Sequence, residues 1–299
     1  MDEVVYDHGR IDRVRLARLN ARSDTRGLTH LAGHAAALVA TGAILSRAVG
    51  SWWVVPATVL HGAVLIFLFA PLHETIHRTA FRSRWLNDGV AWMIGLILLL
   101  PPEYFRFFHF AHHRHTQDPH NDPELASPKP ATSAQWLLHV SGWHYWRAGI
   151  TGLVGHALGR APEPFLAAPR TAVRVVTEAR VVLTIYGFLA AGAFAAGWWA
   201  PLTYWVLPAL AGQPLLRMYL LAEHTGCPLV PDMLANSRTT LTNAVVRFFA
   251  WNMPYHAEHH AFPSVPFHAL PELHRDLRAH LKVTASGYIA AHRQILRSL

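Results

Sequence analysis

The sequence predicts an all-α integral-membrane fold: four transmembrane helices, interfacial helices between them, and a cytosolic helical cap. Three observations carry this reading. Hydrophobic residues make up 52% of the 299-residue chain and charged residues only 15%, against about 25% charged in a soluble domain. Four apolar runs have roughly the ~20-residue length that crosses a bilayer core. Basic residues avoid the two short connections between paired runs.

The elements follow in order. Residues 1–28 are polar, with six arginines among five acids. No secretory signal is expected there, because the first apolar run starts too late. Spans are predicted at 31–49 and 52–72, joined by Gly50–Ser51, and at 181–198 and 202–221, joined by Trp199–Ala200–Pro201. The apolar run 90–100 is too short to cross and ends in Pro101–Pro102, which suits a re-entrant or interfacial helix. Residues 136–158 carry Trp143, Tyr145 and Trp146 and read as one amphipathic interfacial helix. The tail, 223–299, is polar. With no internal repeat, low-complexity segment or linker, 1–299 is expected to form a single membrane domain. The hairpin tips 48–52 and 199–201 contain no Lys or Arg. The positive-inside rule therefore puts both termini, the 73–180 stretch and the tail on the cytoplasmic side.

The formal charge of +8 suits an anionic membrane surface or an acidic protein partner. The scatter of basic residues among apolar runs speaks against a nucleic-acid role. One cysteine, Cys227, excludes an intramolecular disulfide and any Cys-rich zinc or iron–sulfur site.

Histidine is the outlier, at 22 residues in three clusters and scattered singles. His73 and His77 stand four apart at the end of the second run; helical positions i and i+4 share a face and can chelate one metal. His109, His112 and His113, and again His256, His259 and His260, each place three imidazoles on one helical arc. The H-x-x-H-H pattern is expected by chance only about 0.1 times in a chain of this composition, yet it occurs twice. Eight imidazoles exceed what one metal takes and suit two first-row transition metals. His224, just past the fourth run, lies at the same depth and offers a ninth ligand. His30, His34 and His61 are expected to hydrogen-bond neighbouring helices, and His115, His120, His268 and His274 to lie at the surface or behind the ligands. A rival pattern is present: His73-Glu74-Thr75-Ile76-His77 is an H-E-x-x-H zinc-protease motif with Glu74 as general base. It leaves both H-x-x-H-H clusters unused. A metal-transport role would need ionisable residues along a mid-membrane path, whereas these histidines sit at helix ends.

At these residues the chain resembles the membrane fatty acid desaturase and hydroxylase superfamily, over about residues 30–280. The marks are the box at 73–77, the box at 109–113 with Thr116, Asp118-Pro119 and Asp122-Pro123-Glu124, and the segment Trp251-Asn-Met-Pro-Tyr-His256-Ala-Glu-His259-His260 with Phe262-Pro263 and Pro266. The Glu223-His224-Thr225-Gly226 segment matches the place where that family supplies an additional ligand. The resemblance implies a four-span, mushroom-like fold and a non-haem di-iron centre that uses O₂ and an external electron donor, of ferredoxin or cytochrome type with its reductase. It also implies a bacterial inner-membrane location. The irons would be held by His73, His77, His109, His112, His113, His224, His256, His259 and His260. Three residues separate the histidines of the first box, as in acyl-lipid desaturases and related hydroxylases rather than acyl-CoA desaturases. The expected reaction is desaturation of a fatty acyl lipid, with hydroxylation of a lipid, terpenoid, carotenoid or small amphiphile as the alternative. Glu74, Glu103, Asp118, Asp122, Glu223 and Glu258 are candidates to orient metal-bound imidazoles, and Arg106, Arg114 and Arg147 to hold an anionic head group.

Overall fold

The computed structural model describes residues 11–299. Helix starts follow local capping chemistry. The Asp12 carboxylate accepts from the amides of Val14 and Arg15 at the head of α1 (Arg13–Leu19), and Ser23 Oγ accepts from Arg26 N at the head of α2 (Asp24–Ala48). After a tip at 49–53 come α3 (Val54–Ile66) and α4 (Phe69–His77), which run on as one span. Next are α5 (Arg84–Leu98) and α6 (Pro102–His115), then α7 (Ser133–Val140), α8 (Trp143–Ala157) and α9 (Pro169–Ala195).

Three described stretches are long and apolar enough to cross a membrane: Asp24–Ala48, Val54–His77 and Pro169–Ala195. At the helical rise these are about 36–40 Å long, enough for a ~30 Å hydrocarbon core. Their outer faces present side chains such as Val39, Phe188 and Phe194 to the surroundings, the last 84% exposed. Exposed tryptophan pairs mark both tips, Trp52–Trp53 and Trp198–Trp199, as at a membrane–water interface.

The fourth predicted span differs from expectation. Residues 202–221 fall on a π-helical turn, Leu202–Val206, followed by α10 (Leu207–His224). Gln213, Pro214, Arg217 and Glu223 make α10 too polar to count among the apolar spans. It nevertheless packs closely along α3: a Cβ at Gly62 would stand 2.1 Å from the Pro208 carbonyl oxygen, and one at Gly212 2.2 Å from that of Gly62. Such glycine contacts let membrane helices approach backbone to backbone.

The short run 90–100 is the end of α5, which bends by 98° into α6 at 99–101. A broken helix at membrane depth must find partners for its last carbonyls. Here Tyr186 Oη donates to Leu96 O (2.5 Å), Trp205 Nε1 to Ile97 O (2.6 Å) and Tyr145 Oη to Leu98 O (3.4 Å). The new start, α6, has no cap of its own; the Glu178 carboxylate from α9 accepts from Glu103 N (2.8 Å) and Tyr104 N (3.0 Å). The predicted single helix 136–158 is two, split at Ser141–Gly142. Gly142 is left-handed (φ 78°), and a Cβ there would meet Gln213 Cγ at 2.4 Å.

The remaining chain forms the cap: α11 (Met233–Asn236), α12 (Ala244–Phe249), α13 (His256–Ala261), α14 (Leu270–Leu277) and α15 (Tyr288–Arg297). A two-residue parallel pair, Thr239–Thr240 against Thr284–Ala285, ties its ends together. Trp251, Phe267, Leu270 and Leu273 pack with Leu72, Ile76 and Phe81 in one continuous core under α13.

Candidate metal centre

Four helix segments converge here. α4 ends with His73 and His77 in its last turns, stopped by left-handed Arg78 (φ 59°). α6 ends with His109, His112 and His113, where Thr116 Oγ1 donates back to His112 O (2.8 Å). α10 ends on His224, and α13 carries His256, His259 and His260. All nine predicted histidines are brought together. Eight are at most 5% exposed and His77 is half-buried.

They form two adjoining groups. In the first, His73, His77, His109, His113 and His259 each offer a nitrogen within 4.8 Å of all the others. In the second, His112, His224 and His260 do the same, and His256 Nε2 joins them at 2.9 Å from His224 Nε2. His113 and His260 stack in parallel across the seam, with ring centroids 4.1 Å apart.

The geometry fits metal. Ligand nitrogens about 2.1 Å from one ion and at right angles lie about 3 Å apart. Here His109 and His113 Nε2 are 2.9 Å apart, and His112 and His224 Nε2 3.2 Å. Buried imidazole nitrogens normally hydrogen-bond, yet Nε2 of His73, His77, His259 and His260 has no protein partner. Burial, with help from the neighbouring rings, holds the imidazoles of His256, His259 and His260 well below the ordinary histidine range. They are neutral at pH 7, the form that ligates.

The groups differ in what holds the far side of each ring. In the second, His112 Nδ1 bonds Asp122 Oδ1 (2.9 Å), His260 Nδ1 meets Thr116 Oγ1 (3.1 Å), and His224 Nδ1 donates to Asn236 O (3.2 Å). His256 Nδ1 lies 3.4 Å from Glu223 Oε1 without a hydrogen bond, so three of the four rings in this group are held from behind. In the first group, no histidine hydrogen-bonds through Nδ1 to any described residue. Its neighbours are aromatic: Phe69 beside His73, Phe105 beside His109 and Phe110 beside His77.

Of the six candidate orienting acids, Asp122 and Glu223 therefore face clustered histidines and four do not. Glu74 accepts from Thr79 Oγ1 (2.9 Å) and Phe267 N (3.1 Å), and Glu258 binds His274 Nδ1 (2.5 Å) and the Thr239 hydroxyl. Glu103 pairs with Arg106 and Arg174, and Asp118 holds His120 N and Asn121 near the surface. Arg106 is not a head-group site. It is buried and braces the region, donating to Ile76 O (3.1 Å), Glu103 (3.0 Å) and Asp88 (3.2 Å). Arg114 and Arg147 are exposed. As expected, His30, His34 and His61 bond across helices, to Phe248 O, Val64 O, and both Thr41 and Tyr204 O.

Comparison with known proteins decides the family. The fatty acid desaturase profile matches residues 50–291, a stretch that contains all nine clustered histidines. The chain belongs to the fatty acid desaturase family. It is thus an integral-membrane oxidoreductase of lipid metabolism. Similar proteins include the sn-1 oleoyl-lipid 12-desaturase of Picosynechococcus sp., 24% identical over 81% of this chain and 74% of that protein. Sphingolipid delta(4)-desaturase DES1 of Drosophila melanogaster is 25% identical over 75% and 66%. The sn-1 acyl-lipid omega-3 desaturase (ferredoxin) of Nostoc sp. is 24% identical over 74% and 66%. Sequence reasoning missed the contacts made to this histidine cluster by Thr116, Gln117 (whose amide donates to His224 O at 2.8 Å) and the Asn236 carbonyl. Only Thr116 had drawn notice, as part of the second box.

Proposed function

We propose that this protein is an O₂-dependent di-iron desaturase of a fatty acyl lipid. The observation that carries the reading is the convergence of nine histidines, from the ends of α4, α6 and α10 and from α13, into two adjoining groups. His73, His77, His109, His113 and His259 would hold one iron, and His112, His224, His256 and His260 the other. Two irons bound there would supply the O₂ chemistry that removes hydrogen from an unactivated carbon. The balance is one –CH₂–CH₂– unit, O₂, two electrons and two protons giving one –CH=CH– and two waters.

The chain's own contribution is placement. Burial keeps water from the histidines, and the phenylalanines around the first group leave an apolar side along which an acyl chain can lie. Acyl-lipid substrates are favoured by the relatives named sn-1 acyl-lipid desaturases. Electrons come from outside, since the one cysteine cannot hold an iron–sulfur cluster. The relative whose name specifies ferredoxin supports a donor of that kind. In this reading four helices cross a bacterial inner membrane, and cap and termini are cytoplasmic.

The test is mass spectrometry of membrane lipids with and without the gene, under ¹⁸O₂. Loss of two hydrogens without ¹⁸O is the expected result. Incorporated ¹⁸O would mean hydroxylation, and an unchanged lipid profile would refute both. Purified protein should carry close to two irons. An active preparation with one zinc and no iron, inactivated by Glu74→Gln, would restore the protease reading. Single cysteines near 115 and 262, in a Cys227→Ala background, should label from the same side; opposite sides would break the shared centre.

A further inference from the structure

A second feature lies outside the histidine centre. Where α1 turns into α2, Arg18, Arg22 and Arg26 line a concavity of about 400 Å³ that is closed on the other side by His268 and Glu272. All three arginines are exposed, and none forms an ion pair with a described residue. The nearby Arg15 differs: it is neutralised by Asp276 (2.8 Å) and Glu272 (3.8 Å). Arg26 Nη1 donates to His268 Nδ1 (3.2 Å), which leaves the proton of neutral His268 on Nε2, where it has no protein partner. The concavity thus offers three guanidinium groups against one carboxylate.

Its position relative to the metal centre is short in covalent terms. His268 follows Phe267, whose backbone N–H donates to Glu74 Oε2 (3.1 Å), and Glu74 is bonded in sequence to His73. One hydrogen bond and a few residues connect the floor of the concavity to a histidine of the first group. The walls also say what does not belong there. Apart from buried Leu19 and the alanines at 21 and 269, the lining is polar. A bound phospholipid head group would leave its acyl chains without an apolar wall to follow.

We propose that this basic concavity is the docking site of a small acidic electron-carrier protein, entered by an acidic side chain or loop of that carrier, with Arg18, Arg22 and Arg26 as the recognition residues. This rests on the desaturase reading, which requires two electrons per turnover. Each encounter oxidises one carrier by one electron, and two encounters supply the pair. Charge complementarity of this kind acts mainly on encounter rate and specificity, and it fades as salt screens it.

The experiment uses the full chain in nanodiscs of zwitterionic lipid, with a reduced plant-type ferredoxin as donor. The triple variant Arg18→Glu, Arg22→Glu, Arg26→Glu should lower kcat/KM for ferredoxin at least about 10-fold at low salt, and the gap should close as salt is raised. Direct ferredoxin binding should weaken in parallel. Protein reduced chemically with dithionite and exposed once to O₂ should give the same product per iron as wild type. Unchanged ferredoxin kinetics and binding would overturn the proposal. An equal loss in both arms would assign the arginines to folding instead. A loss seen only when anionic lipid is present would assign the concavity to a head group. No product from chemically reduced wild type would refute the desaturase reading itself, whereas the binding measurement would still report on the docking surface.

Discussion

Asp122 is the most informative single perturbation, because its three hydrogen bonds all act on one ligand's surroundings. Its Oδ1 bonds His112 Nδ1 (2.9 Å) and accepts from Glu124 N (2.9 Å); its Oδ2 accepts from Gln117 N (2.8 Å). Asp122→Asn keeps the shape but replaces one acceptor by an NH₂ group. That group must face either the Gln117 amide or the His112 N–H, donor against donor, and the negative charge that makes His112 a better ligand is gone. Loss of such an outer partner lowers metal affinity about 10–100-fold, which is about 1.4–2.7 kcal/mol. Wild-type apo-protein titrated with Fe(II) against a chelator of known affinity should bind in two steps, because three rings of the second histidine group, and none of the first, are hydrogen-bonded through Nδ1. The four-histidine site is the tighter one. Asp122→Asn should weaken that step alone and leave the five-histidine step in place. Any destabilisation of the apo-protein is read separately by unfolding without metal. An unaltered isotherm, or weakening confined to the looser step, would refute the assignment of outer partners to the second group.

Three further outcomes follow from the packing. Arg106→Met strands the Ile76 carbonyl and removes one of the arginines around Asp88; an unsatisfied buried acceptor costs about 1–3 kcal/mol, and a melting temperature equal to wild type would contradict the brace. Glu178→Leu leaves the Glu103 and Tyr104 amides at the head of α6 without an acceptor, at a cost of about 1–3 kcal/mol, with the milder loss in Glu178→Gln; equal stability of all three proteins would show that α6 is capped otherwise. Gly62→Ala must push α3 from α10, because its Cβ would lie 2.1 Å from Pro208 O, while Gly89→Ala meets nothing within 4 Å. The first should lose about 1–3 kcal/mol against unfolding in detergent and the second nothing, and parity between them would disprove the close contact.

What the sequence made legible was whatever repeats along one helix. His73 and His77, and the two H-x-x-H-H arcs, declare their common face by spacing alone, so which histidines cluster was readable before any tertiary structure. The same local signal fails where the cause is tertiary. Residues 136–158 look like one amphipathic helix, because the break needs Gly142 to meet Gln213 from α10. Residues 202–221 look like a plain span by apolar count. The polar Gln213 and Arg217 and the π turn at Leu202–Val206 belong to a helix shielded in part by α3 and the cap. Two of the six candidate orienting acids were readable: Asp122 and Glu223 reach clustered histidines, while Glu258, beside two of them in sequence, points away to His274.

The unequal support of the two histidine groups has a topological cause. The first group is built from helix sides, α4 against α6 against α13, and the positions one turn away on those helices are filled by apolar residues that pack the membrane-side core, among them Phe69 and Phe105. Phenylalanine cannot accept an N–H. The second group sits where chain leaves helices: after α6 at Thr116–Asp122, at the end of α10, and at Asn236–Ser237 after α11. Loops carry free carbonyls, hydroxyls and short acids, and these become the partners of His260, His112 and His224. One of the three, the Asn236 carbonyl, is backbone and has no residue signature at all. A fold that delivers ligands from both helix sides and helix ends to one centre therefore gives one polar, held half and one apolar, looser half. In the proposed desaturase the apolar half is the side an acyl chain would approach, since no ring there is hydrogen-bonded through Nδ1.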